Sequence, residues 1–379
     1  MKRQSIRGRD PLTGQSIEIL VEEGVIRSIA AGVSGDDLWL SPGFIDLQVN
    51  GYAGCDLNAD SITPEHVIAL MHKMFAVGVT TFIPTLITAP EDRIIAALRA
   101  IHDARQGSPL ARHVIPFVHV EGPHLSPADG PRGAHPRHQV RPPDIAEFER
   151  WQAAAAGLVG MVTLSPHWDQ ALPYVAHLRS RGCVVAIGHT DAESSRIHAA
   201  AEAGAVLSTH LGNGLAGELP RHPNLLWAQL ADDRLTASFI ADGHHLPADT
   251  LKAMLRAKGT ERCILVSDAV ALAGLPPGKY ETSVGGTVEL TVEGRIGIPG
   301  TRTLAGAALP LKSGIANVAR LPGFSLREAI LMATENPGRF AGGRGRLRVG
   351  ADADVVQFRW NGVDDDIAIV SLLVRGVAP

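Results

Sequence analysis

Eight short apolar runs along the middle of the chain constrain the fold more than any other feature of this sequence. None of them alternates between apolar and polar residues, and such runs are typical of strands buried on both faces of a parallel sheet. Amphipathic helical stretches separate the runs, and several of these stretches end at a glycine, as at Gly78 and Gly107. The runs are residues 44–49, 79–86, 114–121, 161–164, 184–189, 205–210, 235–241 and 263–268.

This alternation predicts an α/β fold of the (β/α)8 TIM-like barrel type, with the barrel occupying residues 42–345. The two ends of the chain differ, because residues 1–41 and 346–379 consist of short strand-like segments and turns. Each end is too small to bury a core alone, which predicts one small β-sandwich domain formed by both termini. Residues 280–303 predict a β-hairpin inserted after the eighth strand.

Composition excludes several classes of function. The 379 residues are 45% hydrophobic and 20% charged, with a net charge of -4, and no basic stripe suggests a nucleic-acid or membrane-surface binder. No segment reaches the roughly 18 apolar residues of a membrane span, and no apolar stretch of the secretory type follows the basic N-terminus. The three cysteines are isolated, which favours buried thiols and a cytoplasmic location.

Four of the predicted strands end in side chains suited to metal-dependent hydrolysis. Glu121, His189 and His210 end the third, fifth and sixth runs, and Asp268 ends the eighth. Active sites of these barrels lie at the carboxyl ends of the strands, so the four side chains are expected to converge. One carboxylate and two imidazoles suit a divalent transition metal that keeps an open position for water. Asp268 is then the candidate general base, with a capping role in the following turn as the alternative.

The first and third strands bear on the number of metal ions. Many barrel metallohydrolases have a His-x-His pair where this chain has Gln48 and Asn50. Neutral amides are poor ligands for zinc, so we expect one divalent metal per subunit, with Zn²⁺ preferred and Fe²⁺, Co²⁺ and Mn²⁺ as alternatives. His119 lies two residues before Glu121 and points to the same face, either as a partner of the ligands or as part of the core.

Loops after the strands supply further candidates. His135 lies in a long loop rich in Gly and Pro that could cover the site, and His245 follows the seventh strand. Asn213 and Gly214 follow His210, and their backbone amides together with Arg221 could bind an oxyanion or a phosphate. A solvated surface charge is the alternative for Arg221.

Taken together these motifs resemble the N-acetylglucosamine-6-phosphate deacetylase family, a branch of the amidohydrolase superfamily. The resemblance extends from Pro42 to the C-terminal GRLRVGADADVVQF. The matching segments are PGFIDLQVNG, HVEGPHL, IGHTDA, STHLGN, IADGHHL, VSDAVALAG, TLAG at 303–306 and ATENPGRFAG.

The resemblance implies a barrel with a small β-sandwich, a homodimer, and hydrolysis of the acetamide of a phosphorylated amino sugar. The metal ligands would be Glu121, His189 and His210, with Asp268 as general base and then acid. His135 would polarise the acetyl carbonyl. The substrate contacts implied in this way are His135, His245 to the sugar, Asn213 and Gly214 to the phosphate, Arg221 to a phosphate in the neighbouring subunit, and Ala305 in the TLAG segment.

Departures from the family pattern leave alternatives open. The run Leu211-Gly212-Asn213-Gly214, the pair Ala269-Val270 and His124 replace residues that are common in the family on the substrate side. The same chemistry on N-acetylgalactosamine 6-phosphate or on another amide is one alternative. A metal-free barrel that serves as a scaffold or binding module is the other.

Overall fold

The structure is a computed structural model that describes residues 3–33, 37–282, 286–301, 303–363 and 366–379. Its strands are β1 (Gln4–Arg9), β2 (Ser16–Glu22), β3 (Val25–Ala31), β4 (Trp39–Pro42), β5 (Phe44–Val49), β6 (Gly51–Tyr52), β7 (Cys55–Asp56), β8 (Val79–Ile87), β9 (Val118–Glu121), β10 (Val159–Leu164), β11 (Val184–Ile187), β12 (Leu207–Ser208), β13 (Thr236–Ile240), β14 (Cys263–Val266), β15 (Gly278–Thr282), β16 (Gly286–Leu290), β17 (Ile296–Gly297), β18 (Val355–Arg359) and β19 (Ala368–Leu373). Its helices are α1 (Pro64–Ala76), α2 (Glu91–Gly107), α3 (Pro109–Val114), α4 (Ile145–Ala154), α5 (Ala171–Ser180), α6 (Ser194–Ala203), α7 (Leu225–Ala231), α8 (Ala248–Lys258), α9 (Leu311–Arg320), α10 (Leu326–Ala333) and α11 (Glu335–Gly338).

Eight parallel strands form the barrel, in the order β5, β8, β9, β10, β11, β12, β13 and β14. The barrel closes beyond β14, where the backbone N–H of Asp268 donates to the carbonyl of Gln48 at 3.0 Å and Val49 pairs with Ala269. Strands β5, β9 and β14 are buried along their whole length, because the helices cover the outside and side chains fill the inside. The predicted (β/α)8 barrel is confirmed.

Five of the predicted strands are shorter than the apolar runs that indicated them, and the runs 114–121 and 205–210 lose the most residues. The run 114–121 begins as a strand only at Val118, because Val114 is the last residue of α3 and residues 115–117 form an irregular connection. That helix begins where Ser108 Oγ accepts the N–H of Ala111 at 3.2 Å. The run 205–210 keeps only β12, because the backbone turns at His210 with φ of 30°. Periodicity alone does not separate a short buried strand from a short buried helix.

The outer helices bury one face each against the barrel. In α2 the buried residues Ile94, Leu98 and Ile101 recur at the spacing of one helix face. Glu91 and Asp92 lie in its first turn, where negative charge complements the helix dipole. Within the described parts of the chain, no helix is both long and apolar enough to cross a membrane.

Both termini contribute to a separate six-stranded sheet with the order β19, β18, β4, β1, β2, β3. β18 pairs antiparallel with β4, which brings Val355 beside Pro42. The C-terminal part of the chain therefore lies next to the strand that leads into β5, the first strand of the barrel. Ile19, Ile26 and Leu40 form the centre of its small core. This arrangement confirms a small β domain made from both termini, whereas the residue boundaries given for it above stay a prediction.

The segment after β14 forms a small sheet of its own beside the barrel mouth. β15, β16 and β17 pair antiparallel in that order, and Val288 and Ile296 pack against Leu272 just beyond β14. Residues 283–285 and 302 of the predicted hairpin lie outside the described residues. This sheet brings Thr282 to the edge of a cavity at the barrel mouth.

Candidate metal and catalytic site

Glu121, His189 and His210 come together at the carboxyl ends of the strands. Glu121 is the last residue of β9, and the two histidines lie two residues beyond β11 and β12. Glu121 Oε1 lies 3.0 Å from His210 Nε2 and 3.4 Å from His189 Nε2. The three ligand atoms lie within 4.8 Å of one another, and all three residues are buried. Among the described residues, these three side chains form a group that could hold a metal ion.

The backbone at three site residues is in the left-handed region that non-glycine residues seldom adopt. The φ angles are 49° at His189, 30° at His210 and 50° at Asp268. Each such residue costs about 1–3 kcal/mol unless the surrounding structure enforces it, and such residues cluster at functional sites. Each of the three residues lies two positions beyond the end of its strand, so the left-handed conformation turns the backbone where the polar side chain reaches the barrel mouth.

Neighbouring groups orient the candidate ligands for a cation. His189 Nδ1 lies 2.8 Å from the carbonyl oxygen of Pro131, so Nε2, which faces Glu121, is the nitrogen that would ligate a cation. Gln48 Nε2 donates to Glu121 Oε2 at 3.1 Å, which leaves Oε1 facing both imidazoles. His210 Nδ1 is buried with no partner among the described residues, and Nε2, which lies 3.0 Å from Glu121 Oε1, is the nitrogen that would ligate a cation.

Charge at the site also fits a bound cation. Burial alone would raise the pKa of Glu121, but its hydrogen bonds with His189 and His210 hold that pKa well below its usual range. A buried carboxylate that stays ionised requires positive charge nearby. A donor set of one carboxylate oxygen and two imidazole nitrogens suits a divalent transition metal.

Asp268 lies beside this group, on the first turn after β14. Its pKa is raised to about 6, chiefly by burial and then by the negative charge of Glu121. Asn50 Nδ2 donates to Asp268 Oδ1 at 2.7 Å. A carboxylate with a pKa near neutrality can both accept and return a proton, as a general base and acid must.

His135 reaches the same place from the loop after β9. Its ring meets the ring of His189 edge to face, with 4.4 Å between the centroids. Nδ1 of His135 lies 2.9 Å from the hydroxyl of Thr88. Burial, followed by the neighbouring His189, lowers the pKa of His135 to about 3, so the imidazole is neutral near pH 7.

His245 is held by a carboxylate that the sequence analysis did not single out. Asp242 Oδ2 lies 2.7 Å from His245 Nδ1, and its Oδ1 accepts the backbone N–H groups of His244 and His245 at 2.9 Å each. Burial would raise the pKa of Asp242, but its contacts with His245 keep it below its usual value. The Asp-x-x-His spacing in IADGHH was the available signal, because an Asp three residues before a His can cap the turn between them.

A cavity of about 390 Å³ opens above these groups. It is lined by every residue proposed above for catalysis, metal binding or substrate contact except Arg221, which is exposed and lies outside the lining. Asn213, Gly214 and Ala305 therefore do reach the cavity. No Lys or Arg is among its lining residues in the described part of the chain. Arg132, in the loop above, is instead occupied by Asp129 and by the carbonyl of His135.

The remaining candidate ligand lies below the site. His119 Nε2 lies 2.7 Å from the Thr163 hydroxyl, and its Nδ1 lies 3.4 Å from the Thr85 hydroxyl. Both ring nitrogens are thus engaged with hydroxyl groups in the barrel interior. Thr88, Asp242 and the amides of Gln48 and Asn50 are the partners that sequence reasoning missed in this role.

Comparison with known proteins decides the family. The sequence profile of the amidohydrolase family matches residues 39–378. The chain belongs to the amidohydrolase family. The predictions of a metallohydrolase-type barrel and of an enzyme that hydrolyses an amide are thereby confirmed.

Relatives of this amidohydrolase include curated deacetylases of two kinds. It is 32% identical over 346 residues to N-acetylglucosamine-6-phosphate deacetylase of Bacillus subtilis, covering 90% of this chain and 84% of the relative. It is 33% identical over 368 residues to N-acetylgalactosamine-6-phosphate deacetylase of Escherichia coli O157:H7, covering 95% and 93%. A mutant N-acetyl-D-glucosamine-6-phosphate deacetylase from Mycobacterium smegmatis, solved with N-acetyl-D-glucosamine-6-phosphate, superimposes with a TM-score of 0.87 at 26% identity, covering 99% of each chain.

Proposed function

We propose that this amidohydrolase hydrolyses the acetamide of N-acetylglucosamine 6-phosphate, releasing acetate and glucosamine 6-phosphate. The observation that carries the proposal is the buried Glu121, His189 and His210 group beside Asp268, at the floor of a cavity large enough for a sugar. Relatives with this activity align over most of the chain and support the choice of substrate.

One divalent metal ion, with zinc preferred, would be held by Glu121, His189 and His210. Such an ion lowers the pKa of water and polarises a carbonyl group. Gln48 and Asn50 donate hydrogen bonds to the carboxylates of the site, so their amide groups are not arranged as ligands of a second ion.

Asp268 moves the proton in this scheme. Its carboxylate accepts a proton from the attacking water and then delivers that proton to the nitrogen of the leaving amino sugar. The raised pKa of Asp268, about 6 because of its burial, suits both halves of the task.

His135 stabilises the charge that develops on the acetyl oxygen. The Thr88 hydroxyl can donate to Nδ1 of His135, which makes Nε2–H the donor that faces the substrate. Because the imidazole is buried and neutral, it supplies a hydrogen bond in a site shielded from water, where such a bond contributes most to transition-state stabilisation.

Sugar and phosphate contacts come from the loops around the cavity. His245, anchored through Nδ1 by Asp242, can accept a hydrogen bond from a sugar hydroxyl at Nε2. Asn213, Gly214 and Ala305 offer backbone groups to the rest of the substrate. The lack of Lys and Arg among the described lining residues leaves the phosphate without a cation, so we assign that role to Arg221 of a second copy in a cytoplasmic homodimer.

The test is acetate release by the zinc-loaded protein from N-acetylglucosamine 6-phosphate, its 4-epimer and unphosphorylated N-acetylglucosamine, together with metal analysis. Preference for the first compound supports the proposal. Preference for N-acetylgalactosamine 6-phosphate selects the second candidate, which the similarity to the Escherichia coli relative favours. Inactivity on all three with about one metal bound indicates another amide, and inactivity without stoichiometric metal indicates a scaffold.

Arg221→Ala tests the phosphate assignment separately. We expect KM for the phosphorylated sugar to rise at least about tenfold, because a charge-assisted hydrogen bond to phosphate is lost, while the unphosphorylated sugar is unaffected. The oligomeric state is measured on the same samples. Equal effects on both sugars, or a monomer with normal activity, would remove Arg221 from the phosphate site.

A further inference from the structure

Two amide side chains on one face of the first barrel strand each hold a carboxylate of the site. Gln48 is in β5, and Asn50 follows it by two residues. The two residues are only 2% and 6% exposed, so both amides are buried. Gln48 Nε2 donates to Glu121 Oε2 at 3.1 Å, and Asn50 Nδ2 donates to Asp268 Oδ1 at 2.7 Å.

Among the described residues, Asn50 is the one that holds the side chain of Asp268 by a hydrogen bond. His210 and His245 act on Asp268 through their charge and not through a hydrogen bond. The backbone N–H of Asp268 donates to Gln48, which fixes the main chain but leaves the rotation of the carboxylate open. Asn50 thus sets the direction in which Asp268 Oδ2 points.

The contact with Gln48 acts in the same way on Glu121. Oε2 of Glu121 is taken by the amide, whereas Oε1 faces His189 and His210. An amide that donates to one oxygen of a carboxylate fixes the orientation of the carboxylate plane. The position of the other oxygen, and with it the ligand geometry, is then set.

We propose that Asn50 is a positioning residue for Asp268 and that Gln48 is a positioning residue for Glu121, each acting through one amide hydrogen bond. The pair provides neutral donors to two buried carboxylates. The part concerning Asp268 rests on the general-base role proposed above, whereas the part concerning Glu121 rests only on metal binding.

The two halves of the proposal predict different effects, one on zinc affinity and the other on kcat. Gln48→Met keeps the length of the side chain but removes the donor, and it should weaken zinc binding by about 10- to 100-fold. Asn50→Leu keeps the branched shape of the side chain but removes the donor, and it should lower kcat by about 10- to 100-fold with KM and zinc affinity little changed. Zinc affinity is measured by competition with a chelator and needs no substrate.

A double-mutant cycle separates positioning from a general structural effect. If Asn50 acts through Asp268, then adding Asn50→Leu to Asp268→Asn should cost no further activity. A further loss equal to that in the wild-type background would overturn the role of Asn50. Unchanged zinc affinity in Gln48→Met would overturn the role of Gln48.

Failure of the proposed function is distinguishable from failure of this inference. If the wild-type protein releases no acetate but Gln48→Met still weakens zinc binding, the function is wrong and the Gln48 assignment stands. The Asn50 cycle is then run on whichever amide the wild-type protein hydrolyses, and kcat in Asn50→Leu equal to wild type on that amide would overturn the Asn50 assignment. Thermal unfolding of each variant, compared with wild type, identifies a loss caused by misfolding.

Discussion

Gly214 lies so close to the candidate metal ligand His189 that a methyl group added at Gly214 should displace the imidazole ring. Its φ is 60°, and a Cβ atom added there would lie 2.8 Å from His189 Nδ1 and 3.1 Å from two carbons of the same ring. The same Nδ1 lies 2.8 Å from the Pro131 carbonyl, so the ring cannot move without weakening that hydrogen bond. Gly214→Ala should therefore disturb metal binding.

The size of the effect has two parts. An L-residue in the left-handed conformation costs about 1–2 kcal/mol of stability, which appears in the unfolding free energy. Displacing the imidazole by a few tenths of an ångström and weakening its outer hydrogen bond should cost about 10- to 100-fold in metal affinity, or about 1.4–2.7 kcal/mol.

Two control variants separate these parts. Gly182→Ala places alanine at a φ of 77° with nothing within 4 Å of the added Cβ, so it carries the backbone cost alone. Gly217→Ala, in the same loop as Gly214, has open space and no positive φ. Zinc affinity is measured by chelator competition and stability by denaturant unfolding. Zinc affinity of Gly214→Ala within about twofold of both controls would refute the reasoning.

Three other predictions concern groups around and beyond the site. Asp268→Asn should lower kcat at least about 100-fold with zinc still bound. In the wild type, burial raises the pKa of Asp268 to about 6, and a bound cation would lower that value. Because the base must be ionised, kcat/KM should fall about tenfold per pH unit once the pH drops below this pKa, at or below pH 6. Asp242→Asn should lower kcat/KM about 10- to 100-fold without changing zinc affinity, since His245 loses a charged partner 2.7 Å away; normal kcat/KM in steady-state assays would contradict this. Lys258→Met should lower the free energy of unfolding in urea by roughly 3 kcal/mol, because the buried ammonium donates to the carbonyls of Gln229 and Asp232 at 2.8 Å each near the end of α7; a change no larger than that of the half-buried Lys252→Met would contradict it.

Local patterns in the sequence were sufficient for the barrel and for its candidate ligands. Burial on both faces makes a parallel strand apolar throughout, so a polar residue at the end of such a run marks the barrel mouth. Glu121, His189, His210 and Asp268 could be located in this way, and the structure brings them together. The apolar runs did not give the limits of the strands, since in the run 114–121 the strand begins only at Val118, after the end of α3 and an irregular connection.

The partners of these side chains were decided by the tertiary structure. Asn50 and Asp268 are 218 residues apart, and Gln48 and Glu121 are 73 apart, so each pair meets only when the barrel closes. Arg221 follows a site loop in sequence yet lies exposed outside the cavity. Sequence periodicity determines which face of a strand a residue occupies, because that depends on the local backbone alone. Which atom a side chain then reaches depends on rotamers, loop paths and closure of the sheet, and only the folded chain specifies those.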